Sequence, residues 1–182
     1  MPLSKALPRR LQHLRDIQLR GYEREDGLID VEAHITDIKA YGAGRTGTLT
    51  AGEPMHDMWL RVTLDHDMVI QECEAVMDAT PYDICPGAAA NYGRLKGLKI
   101  GRGFIKAAMQ KLGGTEGCTH LRELLQPIGT VAFQTVNHYQ NETIPARRHA
   151  IEPELINTCY AYDEHGAMIT EFRARTAANQ AD

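Results

Sequence analysis

GGTEGCTHLRELL, residues 113–125, decides how this chain is divided. A double glycine stops whatever precedes it. Leu121, Leu124, Leu125, Ile128, Val131, Ala132, Thr135 and Val136 then recur at the spacing of one helical face. The pattern predicts a long helix, kinkable at Pro127, with Cys118 and His120 in its first turn. There the free backbone N–H groups and the helix dipole favour a thiolate, which is both a nucleophile and a metal ligand. A cysteine at a helix start is more commonly a small apolar plug, so the rest of the chain has to decide its role.

Upstream, Phe104, Ile105, Ala108, Met109 and Leu112 predict a helix over about 102–112, and Ala88 to Leu95 a shorter one closed at Gly97. Ahead of these, ATPYDICPG (79–87) turns the chain around Cys85 with two prolines and a glycine. Strands come earlier still. From Leu28, Ile29, Val31, Ala33 and Ile35 alternate with Asp30, Glu32, His34 and Thr36, the signature of a strand buried on one face. Met58, Leu60, Val62 and Leu64 repeat the alternation, turn near residues 65–67, and return from Met68 to about Met77. GYEREDG (21–27) reads as a turn into the first strand, with residues 1–20 as a basic arm, poorly ordered or docked on a partner. GAGRTGTLTAGE (42–53) lacks the spacing of a phosphate loop and reads as mobile, with Arg45 able to reach an anionic ligand.

Downstream, residues 137–153 read as a surface excursion whose Arg147, Arg148 and His149 are solvated. INTCYAYDEHGAMITEFRA predicts a C-terminal hairpin turning at Asp163 to Gly166. Strands, then helices, then a hairpin indicate an α+β fold: an antiparallel sheet of three or more strands, a layer of about three helices and a terminal hairpin. The expected organisation is an arm (1–20), a single domain (21–175) and a frayed tail (176–182).

A chain of 182 residues suits one domain with a sizeable core. A net charge of −4 and a pI near 6.1 argue against nucleic acid as partner. No apolar run approaches the ~20 residues of a membrane span, and the first twenty residues lack a signal sequence's apolar core. A cytoplasmic protein without a membrane partner is expected. Cysteines 73, 85, 118 and 159 form no CxxC pair, which leaves ligand, nucleophile or core filler, the last expected for Cys73 and Cys159.

His56 ahead of a strand, Cys85 in the sheet-to-helix loop, and Cys118 with His120 at a helix start could converge on one ion. Imidazole and thiolate together suit zinc or iron. With an open position such an ion could activate water or polarise a carbonyl; with His120 closing the site it would be structural. Without a metal, Tyr22, Arg24, Asp26, Arg45 and Tyr82 would supply proton transfer and anion recognition for a small, aromatic substrate. A third option is a non-catalytic module that assembles through the sheet or the basic arm, for example as a homodimer.

The PMHD segment, the hairpin, the PYDIC turn, the glycine-bearing stretch 93–103 and GCTHLREL resemble the U-type iron-sulfur cluster scaffold proteins over roughly residues 54–136. That resemblance implies a sheet-and-helix fold with ligands at His56, Cys85 and Cys118. The scaffolds' first cysteine is a histidine here, so a mononuclear ion suits the set better than a cluster. GYEREDGLIDVEAHITDIKAY, PMHDMWLRVTLD, PYDIC, GCTHLREL and INTCYAY, in that order, resemble bacterial domain-of-unknown-function family 2889 over nearly the whole chain. This second resemblance implies an association with aromatic-compound catabolism and a small-molecule lyase.

Overall fold

The alternating segments form a four-stranded antiparallel sheet in the order β1-β2-β3-β4, in a computed structural model that describes residues 3–41, 49–143, 151 and 153–179. The strands are β1 His13–Glu23, β2 Ile29–Lys39, β3 Pro54–Leu64 and β4 Ile70–Ala79. One face is apolar in every register pair across the centre: Val31 opposes Val62, Ala33 opposes Leu60 and Ile35 opposes Met58, all 0–1 % exposed. Full burial of each larger aliphatic side chain contributes roughly 1.5–3 kcal/mol as an upper estimate. At the β1–β2 turn Gly27 has φ 82, a conformation glycine adopts without penalty, and its N–H donates to the Arg24 carbonyl at 3.1 Å.

The expected arm is a strand from His13 onward, a correction to the sequence reading. Arg15 lies on the inner face with Ile17 and Leu19, and its charge hid that parity; it is tolerated there because β2 supplies Asp37 opposite.

Helices line the apolar face. A 3-10 segment, Cys85–Leu95, buries Tyr92 and Leu95. Helix α1 is Phe104–Leu112, α2 is Thr119–Glu123 and α3 is Leu125–Thr143. The long helix predicted from 121 is thus broken at Leu124. Pro127 lacks the N–H that would bond to the Glu123 carbonyl, and its ring crowds that carbonyl. Arg122 donates from Nη1 to the Leu112 carbonyl at 3.0 Å, satisfying an end group of α1. Leu121, Leu124, Leu125, Ile128 and Ala132 are fully buried in the shared core. β1 passes close to α3: a Cβ on Gly21 would stand 2.0 Å from Thr135 Oγ1.

The chain divides into two compact units, Met1–Gln140 and Asn141–Asp182, where one domain was expected. α3 also runs on to Thr143, through the start of the expected surface excursion. In the second unit the expected hairpin is absent. Pro153–Leu155 and Tyr160–Tyr162 are 3-10 turns, and α4 spans Ala167–Asn179, well into the expected tail. Alanine, methionine, glutamate and arginine in that stretch are strong helix formers, and the Asp163–Gly166 turn leads into the helix rather than into a return strand. Cys159, expected in a core, is exposed; Cys73 is buried, and burial pushes its thiol up to about 12. Arg45, Arg147, Arg148 and His149 lie outside the described residues.

Candidate metal centre

Four polar side chains break the apolar parity of the sheet at one end of it. On β1, His13 and Arg15 share the inner face with Ile17; on β2, Asp37 follows Ile35; on β3, His56 precedes Met58. The β2–β3 register shifts between Asp37 and Ile38, a bulge of the kind that re-aims side chains next to functional sites. Asp37 is 0 % exposed and His56 5 %. A charge so placed persists only if it is paired and fully hydrogen-bonded.

Asp37 meets that condition. Arg15 donates from Nε to Oδ1 and from Nη2 to Oδ2, both at 2.8 Å, in the bidentate geometry that suits guanidinium and carboxylate. His13 Nε2 lies 2.8 Å from Oδ1 and His56 Nδ1 3.0 Å from Oδ2. Three hydrogen bonds, two from Arg15 and one shared with His56, thus hold the carboxylate, with His13 close beside Oδ1. Burial would push its pKa up, but Arg15 outweighs burial and holds it at about 2. The Asp37 partnership raises the Arg15 pKa in turn.

The helix layer completes the group. His120 of α2 brings Nε2 to 3.7 Å from Asp37 Oδ2, and its ring lies 3.7 Å, centroid to centroid, from that of His56. Asp37, His56 and His120 each offer a ligand atom, all within 4.8 Å of one another. The ligand atoms of a tetrahedral ion with bonds of 2.0–2.2 Å stand about 3.4 Å apart. The separations of 3.0 and 3.7 Å bracket that value. His56 is held toward its neutral form, first by burial and then by His120, and the neutral imidazole is the form that binds a metal.

Two contacts position α2. Tyr92, fully buried, donates its hydroxyl to the Cys118 carbonyl at 2.9 Å, and Arg15 Nη1 donates to Glu123 Oε2 at 2.5 Å. Cys118 Sγ lies 3.7 Å from His120 Nδ1, on the ring nitrogen opposite the one that faces Asp37. The thiol thus orients the imidazole, as partners of ligating histidines commonly do. Burial acts to raise the Cys118 pKa, but the His120 contact and backbone N–H groups of Leu121 and His120 outweigh it and lower it.

Of the four residues expected to converge, the structure brings His56 and His120 together, sets Cys118 behind His120, and replaces Cys85 with Asp37. Cys85 opens the 3-10 segment and is outside the only such group among the described residues. The second expected set does not converge. Tyr22 is on the outer face of β1, 43 % exposed, and Arg24 pairs with Asp26 at 2.6 Å and Asp30 at 3.4 Å. Those residues stand seven or more strand positions from Arg15, about 24 Å. Tyr82, exposed, follows the end of β4 at Ala79, which opposes Asp57 next to His56; it lies toward the site's end of the sheet but outside the cluster. The signal for Asp37 was present in the sequence: it is the aspartate that continues the odd-numbered apolar series 29, 31, 33, 35.

Fold and site together define an α+β protein with a buried carboxylate–histidine–histidine cluster between its sheet and its helices. The chain belongs to the DUF2889 family, described as a protein of unknown function, whose model matches residues 13–134. That span runs from the first site residue, His13, past the last, Glu123. No curated protein and no solved structure matches the chain, so the iron-sulfur scaffold resemblance gains no support. No described helix is long and apolar enough to cross a membrane.

Proposed function

We propose that this protein binds a single zinc or iron ion through Asp37, His56 and His120 and uses it on a small molecule. The observation that carries the reading is the mutual approach of three ligand atoms to within 4.8 Å, two of the three residues being buried. Two imidazoles and a carboxylate suit either ion, and three protein ligands leave positions for water or substrate. To hold the ion, His56 would carry its proton on Nε2 and leave Nδ1, the nitrogen beside Asp37 Oδ2, free to bind. A bound ion would supply Lewis acidity, to polarise a carbonyl or activate water. Untagged protein analysed by plasma mass spectrometry is expected to carry one zinc or iron per chain. The Asp37→Asn and His120→Ala variants are expected to carry none.

One observation favours a second reading. Asp37 is already held by Arg15 and His56, with His13 beside it, so the cluster is also paired without an ion. In that case the protein is a lyase acting by acid–base chemistry on a small aromatic compound. His120 Nε2, at 3.7 Å from the carboxylate and held by no short bond to it, is then the proton carrier. Metal-free wild-type protein that still binds aromatic ligands would select this reading over the first.

A further inference from the structure

We infer that the exogenous ligand of this site is a carboxylate, a conclusion that rests on the metal reading above and names the class of molecule it serves. The charge balance points there. A divalent ion at the cluster meets one carboxylate, Asp37, whose charge is already matched by the Arg15 guanidinium in a two-bond fork. The two histidine ligands are neutral when they bind metal. Glu123, the other anion on Arg15, is half exposed and offsets the excess only in part. The filled site is therefore cationic, and part of that charge is buried, where it is costly unless a mobile anion joins it.

The geometry supplies a second reason. Arg15 has five N–H groups and, among the described residues, uses three of them on Asp37 and Glu123. One N–H on Nη1 and one on Nη2 remain. The guanidinium is 29 % exposed, with His13 at 35 % and His120 at 24 %, so this is the side of the cluster that solvent and ligand reach. A carboxylate can put one oxygen on the ion and the other on a remaining Arg15 N–H, a match of planar groups that a neutral amide lacks.

Cobalt(II) serves as the probe, because its visible bands report changes in coordination. The wild-type chain loaded with cobalt is titrated with benzoate, benzamide and inorganic phosphate. Benzoate is expected to shift the bands and to bind at least tenfold more tightly than benzamide or phosphate. Glu123→Gln keeps an acceptor for Arg15 but removes the partial counter-charge, and is expected to tighten benzoate several-fold, read on the cobalt-loaded fraction. Arg15→Lys keeps the charge but loses the N–H groups that Asp37 and Glu123 leave over, and is expected to weaken benzoate at least tenfold. Equal binding of benzoate and benzamide, or tighter phosphate, overturns the inference while leaving the metal reading standing. Failure of the wild-type chain to bind cobalt removes both.

Discussion

Replacing Asp37 by Asn tests whether the buried carboxylate is the keystone of the site. The change keeps the shape but removes the charge that Arg15, His13 and His56 surround, and turns two of the four acceptor positions into donors facing donors. Breaking a buried ion pair by removing one partner costs about 3–5 kcal/mol. Arg15 and His13, 29 % and 35 % exposed, recover some hydration, so about 2–4 kcal/mol is expected here. Trp59, the single tryptophan, lies on β3 three positions from His56 and reports urea unfolding of the sheet. With a slope near 2 kcal/mol/M, the midpoint should fall by about 1–2 M. The pH dependence follows from the sign of the shift. The pKa of Asp37 is lowered from 3.8 to about 2 in the folded chain, so its contribution is fully present above 3.8 and is lost as pH falls through about 2. The gap between wild type and variant should therefore narrow from pH 4 to pH 2. A loss below about 1 kcal/mol at pH 7, or a gap of constant size down to pH 2, would refute the account of Asp37.

Cys85→Ala should leave metal content unchanged. Cys118→Ser should also retain the ion but bind it about 10-fold less tightly, since the thiol only orients His120; chelator competition measures both, and loss of metal in the Cys85 variant would restore the original ligand set. Tyr92→Phe removes one of two donors to the Cys118 carbonyl, the Arg122 N–H remaining, and should cost about 0.5–1.5 kcal/mol in thermal unfolding, together with some metal affinity; an unchanged melting temperature would show that α2 is positioned otherwise. Gly21→Ala drives a methyl to within 2.0 Å of Thr135 Oγ1 and should cost about 1–3 kcal/mol. Adding Thr135→Ala should recover more than half of it, and strictly additive losses would contradict the packing of β1 on α3.

The strands were legible because alternation survives translation into structure: Ile29 to Ile35 and Met58 to Leu64 face the core as their spacing requires. Arg15 was not, and Asp37 showed only as the aspartate that continues the odd-numbered apolar series, because a hydrophobic pattern treats an inward-facing ion pair as two interruptions. Each looks misplaced until the other is set opposite it, and that pairing is a property of register. His56 and His120 could be nominated by type, since imidazole is a common ligand wherever it stands. Cys85 was nominated on the same ground, and the structure places it outside the cluster, because order in a chain of turns does not fix where a loop side chain ends up. Near the C-terminus the Asp163 to Gly166 turn fitted a hairpin and a helix start equally, and the helix propensity of the residues from Ala167 onward decided between them.

Arg15 holds Asp37 on the sheet with one part of its guanidinium and Glu123 on α2 with another. His120, on the same short helix, reaches back to the same carboxylate. The cluster is therefore a clasp joining two layers, and whatever fills it also fastens α2 to β1 and β2. Ligand occupancy and adhesion of the layers become one equilibrium. Amide protons near Asp37 and along α2 should exchange more slowly together when the clasp is closed, and be released together when it is emptied.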